Sequence, residues 1–236
     1  MKNVFFATAL LLGLSVMFIS CEKSGTENRK DDEGGADASG AVDLGLSVKW
    51  ASCNLGASKP EEFGDYYAWG ETSTKEDYSA KNYKFYMGKD EKGFYKYSKY
   101  VISPENGTID NKTQLDPEDD AARVKLGGKW RMPTEKECQE LVDKCIWTLQ
   151  TRMGVIGLEV KSSVNGNSIF LPVTGFREKT KITYAYEAMY LSSTLSTRVS
   201  SHSSCIGIWL DDEENEGYLD DNVREDGCPI RPVKGK

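Results

Sequence analysis

The sequence predicts an α+β fold built on antiparallel sheet. The order of its elements supports this: early strand-like segments precede one strongly marked helix, and many short apolar segments separated by turns follow it. That order favours antiparallel pairing over the regular strand–helix alternation of parallel sheets. No repeat is visible along the chain, so a solenoid or propeller is not predicted.

The first predicted strand lies where Leu46, Val48 and Trp50 alternate with polar residues. Alternation of this kind is typical of a half-buried strand. A second short strand is predicted at Tyr66–Trp69, directly after a glycine-containing turn. Both strands precede the predicted helices.

Two helices are predicted. The shorter spans Pro117–Val124, with Asp116 positioned to cap its N-terminus. The longer begins at Thr134 and Glu137, which have the spacing of a capping box, and runs to about Cys145. The segments that follow are predicted as strands with one hairpin turn: Trp147–Val155, Leu158–Val160, the turn Asn165–Asn167, Ile169–Leu171, Met189–Leu191, Ile206–Leu210 and Ile230–Val233.

The N-terminal segment has the pattern of a bacterial lipoprotein signal. Lys2 supplies a basic tip, Val4–Ile19 is mostly apolar, and small Ser20 precedes Cys21. The apolar run is shorter than the roughly 20 residues of a comfortable membrane span. We therefore expect residues 1–20 to be a cleaved signal peptide and Cys21 to be lipidated; the alternative is an uncleaved N-terminal anchor helix. The expected location is outside the cytoplasm, on the outer membrane, facing the periplasm or the medium.

A flexible tether is predicted to follow the signal. Residues 21–41 include the charged run Lys30–Glu33 and almost no large apolar side chains. Such a segment cannot bury enough surface to offset its ordering entropy. Residues 42–236 then form one domain of ordinary size.

The charge of the chain limits its partners. The formal net charge is −7, whereas binding to nucleic acid requires a basic surface. Nucleic acid is therefore not an expected partner. The membrane is expected as a partner only through the N-terminal lipid.

Cysteine and histidine usage argues against a metal site. Five cysteines besides Cys21 are present, and an odd number cannot all pair within one chain. Cys138 and Cys145 would lie about 10 Å apart along the predicted helix, which is too far for a disulfide. His202 is the single histidine, and it lies in the serine-rich run Ser200–Ser204, which is typical of a solvated loop. No metal ligand and no cofactor is predicted.

The segment Tyr78–Tyr100 is dense in tyrosine and lysine and is predicted to be a long exposed excursion with one hairpin. Tyrosine offers a large amphipathic surface at low entropic cost. Tyr83, Tyr86, Tyr95 and Tyr97 are therefore the predicted ligand-binding residues. The alternative is that these tyrosines cover the edge of a sheet.

Seven stretches form a pattern that covers nearly all of the chain after the tether. They are Val42–Ala57, Phe63–Glu71, Leu115–Ala122, Gly127–Thr134, Gly166–Pro172, Gly175–Arg177 and Ile230–Val233. Together they resemble the Fibrobacter major paralogous (FISUMP) domain family. The resemblance implies an exported or lipid-anchored protein of a Bacteroidota-type bacterium. It also implies a fold similar to C-type lectin and sulfatase-modifying-factor domains, in which a twisted antiparallel sheet, two helices and long loops present a binding face.

Two positions depart from this family, which usually has tryptophan at the positions of Cys138 and Leu191. Both departures remove bulk from the expected core. The tryptophans that lie in or near the matching stretches are themselves expected to be core residues: Trp50, Trp69, Trp130 and Trp147.

Two chemically active alternatives were weighed. The resemblance to sulfatase-modifying factors implies a cysteine pair, for which Cys205 and Cys228 are the candidates; the alternative is a structural disulfide or two buried small residues. The acidic stretch between Asp211 and Asn222 offers the oxygen ligands that calcium prefers, but it lacks EF-hand spacing, and such runs are usually solvated.

The sequence thus predicts a non-enzymatic, lipid-anchored surface protein that binds a glycan or a surface protein through the loops of a C-type-lectin-like domain. No catalytic residue is predicted. The alternatives are an oxidase of the sulfatase-modifying-factor kind that uses Cys205 and Cys228, and a structural subunit of a surface appendage.

Overall fold

Among the described residues, antiparallel sheets and two α-helices make up an α+β fold, which confirms the predicted class. The computed structural model describes residues 40–183, 186–210 and 215–236. The helices are α1 (Ala121–Leu126) and α2 (Glu135–Lys144). In chain order the strands are β1 (Ala41–Val42), β2 (Val48–Ala51), β3 (Tyr86–Lys89), β4 (Tyr95–Tyr97), β5 (Trp130–Arg131), β6 (Cys145–Arg152), β7 (Val155–Ser162), β8 (Ser168–Pro172), β9 (Phe176–Glu178), β10 (Lys181–Thr183), β11 (Glu187–Leu195), β12 (His202–Trp209), β13 (Gly217–Val223) and β14 (Val233–Gly235).

Strands from the two ends of the domain share one sheet, with the order β1-β2-β14-β5. The predicted alternation in β2 is confirmed, because Leu46, Val48 and Trp50 are all buried. Ala41 was predicted to be the last residue of the tether, but it pairs with Ala51 as the first residue of β1. The domain therefore begins before Val42.

Helix α2 starts with the predicted capping box. Thr134 Oγ1 accepts a hydrogen bond from the Glu137 backbone N–H at 3.3 Å. Glu137 Oε2 in turn accepts from the Thr134 N–H at 2.8 Å. Arg131 also donates to the Glu137 carboxylate, which holds the start of the helix against β5.

The predicted helix over Pro117–Val124 is wrong in its start and in its cap. A 3₁₀ turn occupies Pro117–Asp119, and α1 begins only at Ala121. The N-cap is Asp120, which accepts from the backbone N–H of Arg123 at 2.9 Å. Asp116 makes no capping bond, because its carboxylate is bound by Lys99 and Lys112 instead.

Two further three-stranded sheets complete the larger part of the fold, with orders β6-β7-β8 and β11-β12-β13. The predicted turn at Asn165–Asn167 does connect β7 to β8. The predicted strand at Tyr66–Trp69 is wrong as a regular strand. Tyr67 pairs with Cys228 as an isolated bridge, and the Trp69 N–H donates to the Arg224 carbonyl. This buried segment therefore lies beside residues 224–228 without forming a regular strand ladder with them.

The core consists of two clusters. One packs the tyrosine-rich segment against residues of β11 and the C-terminal region, and the other packs α2 against β2, β7, β8 and β12. Trp50, Trp69 and Trp130 are buried as predicted, whereas Trp147 is only partly buried. Cys138 and Leu191 are also buried, so both positions lie in the core as predicted.

Candidate ligand-binding site

The hairpin of β3 and β4 presents two half-buried tyrosines at the surface. The rings of Tyr86 and Tyr95 meet edge to face with centroids 5.4 Å apart. Lys89 extends over Tyr95, with its Nζ atom 4.5 Å from the ring centroid. Within the described part of the chain, neither tyrosine hydroxyl makes a hydrogen bond. We call the surface formed by Tyr86, Lys89 and Tyr95 the tyrosine face.

Tyr83 and Tyr97 do not belong to this face, so their predicted binding role is wrong. They are 3% and 2% exposed, respectively. Their hydroxyls donate inward to the backbone, Tyr83 to the Trp69 carbonyl at 2.9 Å and Tyr97 to the Ser201 carbonyl at 3.4 Å. These two tyrosines fit the alternative interpretation, in which the segment packs against the sheets.

The tyrosine-rich segment is also less basic at its surface than its sequence indicates. Lys84 and Lys99 are ion-paired to Asp119 at 2.5 and 2.6 Å, and Lys96 is paired to Asp90 at 3.0 Å. Of the segment's lysines, those without an ion pair to any described residue are Lys81, Lys89 and Lys92. Of these three lysines, Lys89 is the one whose ammonium group lies over a ring of the tyrosine face, that of Tyr95.

Two buried carboxylates lie close to the tyrosine face. Glu225 and Asp226 are 7% and 5% exposed, yet neither forms an ion pair with any residue that the structure describes. Burial, with the neighbouring charges of Glu225 and Glu178, raises the pKa of Asp226 to about 8. Burial raises the pKa of the Tyr97 hydroxyl, and the negative charge of Glu225 raises it further. The acid pair thus lies within electrostatic range of the hairpin.

Nothing local in the sequence marks this acid pair as buried, so it could not be predicted. Glu225 and Asp226 follow Arg224, and a charged triplet is normally solvated. Arg224 is itself fully buried, with its guanidinium 4.2 Å from the Tyr97 ring centroid. Tertiary packing removes these charges from water, with residues 66–69, Tyr97 and Ser200 all contacting this segment.

Two open cavities lie at the surface of the tyrosine-rich region. One, of about 440 Å³, is at the tip of the hairpin and includes Lys92, Phe94 and Pro104 in its lining. The other, of about 420 Å³, includes Asp65, Tyr66, Lys75, Tyr78 and Arg177. Their volumes fall in the range of small-molecule sites. Phe94, in the lining of the first cavity, directly precedes Tyr95 in the sequence.

One carboxylate cluster has the spacing of a cation site, but the ammonium groups of Lys84, Lys99 and Lys112 already bind it. Oxygen atoms of Asp116, Glu118 and Asp119 lie within 4.8 Å of one another. Lys99 Nζ lies 2.6 Å from both Asp116 Oδ2 and Asp119 Oδ2, and 3.8 Å from Glu118. These ammonium groups therefore already supply the positive charge there. Of the acidic stretch considered for calcium, Asp211–Glu214 lie outside the described residues, and Asp221 is paired with Arg198.

The cysteines do not form a reactive pair. Cys53, Cys138, Cys145, Cys205 and Cys228 are all free and buried. Burial raises the pKa of both the Cys205 and the Cys228 thiol, so each stays protonated and is a poor nucleophile. Asn222 Nδ2 lies 3.1 Å from Cys228 Sγ, and Cys205 Sγ lies 3.7 Å from Met189 Sδ. This arrangement is that of two buried small residues rather than of a disulfide.

The prediction that His202 lies in a solvated loop is wrong. His202 is the first residue of β12. Ser203 and Ser204 are buried strand residues, because β12 runs between β11 and β13. Ser201 Oγ lies 3.0 Å from His202 Nδ1. No carboxylate in the described ranges hydrogen-bonds this ring, so a catalytic triad is not assembled around it.

Comparisons with protein-family models, with curated proteins and with solved structures find no match to this chain. No helix among the described residues has the length and apolarity needed to cross a membrane. The predicted signal peptide, the predicted lipidation site Cys21 and nearly all of the predicted tether lie outside the described residues.

Proposed function

We propose that the chain is a non-enzymatic glycan-binding protein, that it is exported and anchored by a lipid on Cys21, and that the tyrosine face is its binding site. The observation that carries the proposal is the pair Tyr86 and Tyr95. Both rings are held by the fold and partly exposed, and their hydroxyls make no hydrogen bond to any described residue. The pattern of residues 1–21 and the resemblance to FISUMP domains, with their C-type-lectin-like fold, support the location and the class.

A glycan matches the chemistry of this face. A sugar ring has one apolar face, which packs on an aromatic ring, and hydroxyls that both donate and accept hydrogen bonds. Tyr86 and Tyr95 supply the rings and two hydroxyls, and Lys89 adds an ammonium donor. The two rings are fixed by packing against the core, so little side-chain entropy is lost when a ligand binds.

The buried, protonated thiols of Cys205 and Cys228 support a binding role over the oxidase alternative. An oxidase of that kind needs an accessible thiolate. Both thiols are instead fully buried.

A glycan array tests the proposal directly. The full chain in mild detergent is applied beside a variant carrying Tyr86→Ser and Tyr95→Ser, with Tyr186→Ser as the control because Tyr186 is an exposed tyrosine outside the hairpin. We expect the wild type and the control to bind the same glycans and the double variant to lose them. Binding by the double variant equal to wild type, or wild-type binding to surface proteins alone, would overturn the proposal.

A further inference from the structure

The outer edge of strand β6 is left open in the described structure. Strand β6 is the terminal strand of its sheet and is eight residues long. Its register with β7 is unbroken from Cys145 opposite Ser162 to Arg152 opposite Val155. Across the described ranges, the backbone of β6 bonds only to β7. Half of its N–H and C=O groups therefore point outward without a partner.

The edge of β11 shows the contrast. Loops cover it along its length: the Leu115 N–H donates to the Ser193 carbonyl at 2.9 Å, and the Leu195 N–H donates to the Thr113 carbonyl at 2.8 Å. The Leu191 N–H donates to the Pro229 carbonyl at 3.1 Å. The fold thus satisfies one long edge strand with its own loops and leaves β6 uncovered by any described segment.

Strand β6 also lacks the devices that usually protect an edge. It contains no proline, no lysine and no bulge, whereas natural edges are commonly blunted by these features. Ile146 is 60% exposed and Leu149 is 45% exposed. Ile156, opposite the end of β6, is 45% exposed, and Met153 in the connecting turn is 91% exposed. The open edge therefore carries exposed apolar side chains on both faces of the sheet, with Ile146 on one face and Leu149 and Ile156 on the other.

The charges along this edge are balanced. Arg152 is the single charged residue of β6, and its guanidinium lies 2.9 Å from Glu159 Oε1 on β7. Gln150 donates to the same carboxylate at 3.0 Å. The edge therefore carries no net charge, although the chain as a whole carries −7.

We infer that a second copy of this chain pairs antiparallel with the outer edge of β6 and continues the sheet through a two-fold axis. An antiparallel strand edge is self-complementary, because a two-fold rotation places each outward N–H opposite an outward C=O. The same rotation sets the two Arg152 side chains at opposite ends of the joint, so they do not repel each other. The inference does not depend on the tyrosine face.

The oligomeric state of the full chain in mild detergent tests the inference. Light scattering after size exclusion is compared for the wild type, for Ile146→Lys with Leu149→Lys, and for the control Val124→Lys. Val124 is 50% exposed on α1, away from β6. Hydrogen exchange of residues 145–152 is measured at low and at high protein concentration, and the melting temperature of each variant reports its folding.

We expect a dimer for the wild type and the control, and a monomer with a nearly unchanged melting temperature for the β6 variant. Exchange over residues 145–152 should slow as the wild-type concentration rises. A wild type that is monomeric at about 100 μM overturns the inference. So does a dimer that survives both lysines while exchange in β6 stays independent of concentration.

Discussion

Arg231 donates a hydrogen bond from Nε to Asn54 Oδ1 at 2.9 Å, although the two residues are 177 positions apart. The same guanidinium, which is 1% exposed, donates to the backbone carbonyls of Ala51, Ser52 and Phe170. These bonds join the first and the last of the seven stretches that resemble the FISUMP family. All four acceptors are neutral, so no ion pair holds Arg231 in place. The planar guanidinium instead fixes the side chain through several hydrogen bonds made at once.

Arg231→Lys should therefore destabilise the domain by about 2–4 kcal/mol, because one ammonium cannot reach all four acceptors and leaves buried carbonyls unsatisfied. Urea unfolding followed by tryptophan fluorescence measures the loss. Arg198→Lys is the control, since Arg198 is an exposed partner of Asp221 and should cost less than about 1 kcal/mol. Equal losses for both variants would contradict this account of Arg231.

Removing the cap of α2 should have a smaller effect. Thr134→Ala deletes the hydroxyl that accepts the Glu137 N–H and should lower the free energy of unfolding by about 1 kcal/mol. Thr108→Ala, at an exposed loop position, should leave it unchanged. A loss at Thr108 as large as that at Thr134 would show that the capping bond contributes nothing specific.

Asp226 should make the stability of the domain depend on pH. Its folded-state pKa is about 8, against 3.8 for the unfolded chain, so the folded state holds a proton that the unfolded state has lost. Stability should then fall as pH rises from about 4 to about 8, by up to roughly 1.4 kcal/mol per pH unit. Asp226→Asn should match the wild type near pH 4 and melt at a higher temperature at pH 8.

Asp143→Asn, at an exposed position on α2, provides the matched control and should leave the pH profile as in the wild type. If Asp226→Asn leaves the melting temperature at pH 8 unchanged, the buried carboxyl is not protonated in the folded protein.

Lys99 should matter more than its surface position indicates. Lys99→Met removes one of the two ammonium groups that neutralise the buried Asp119 carboxylate and should cost about 1–3 kcal/mol. Lys112→Met, which removes a 45%-exposed partner of Asp116, should cost less than 1 kcal/mol. Equal unfolding midpoints for the two variants would contradict a structural role for the cluster.

Features that rest on local chemistry could be predicted from the sequence. The capping box at Thr134 and Glu137 depends on residues three positions apart, and the turn at Asn165–Asn167 depends on its own backbone preferences. The cap of α1 was misplaced because Asp116 and Asp120 are both suitable residue types. Asp116 is instead occupied by Lys99 and Lys112, and those contacts are tertiary.

The candidate site was harder to predict because burial within residues 78–100 follows no period. Tyr83 and Tyr97 point into the core, whereas Tyr86 and Tyr95 in the same hairpin remain at the surface. Tyr95 and Tyr97 are two residues apart on β4, so strand alternation places both side chains on the same face and does not distinguish the exposed ring from the buried one. Composition marked the correct segment, but only the packing determines which of its tyrosines a ligand can reach.

The most direct test of the proposed function is titration calorimetry of the full chain with the best glycan from the array. Loss of both rings in the variant Tyr86→Ser with Tyr95→Ser should weaken binding by about 1–3 kcal/mol for each ring that acts as an anchor. The variant Tyr86→Phe with Tyr95→Phe, which keeps the packing, should bind with intermediate affinity and melt like the wild type. Tyr97→Ser should lower the melting temperature first, since Tyr97 is a core residue. An affinity for the serine double variant equal to that of the wild type and of Tyr186→Ser would contradict the assignment of the tyrosine face as the binding site.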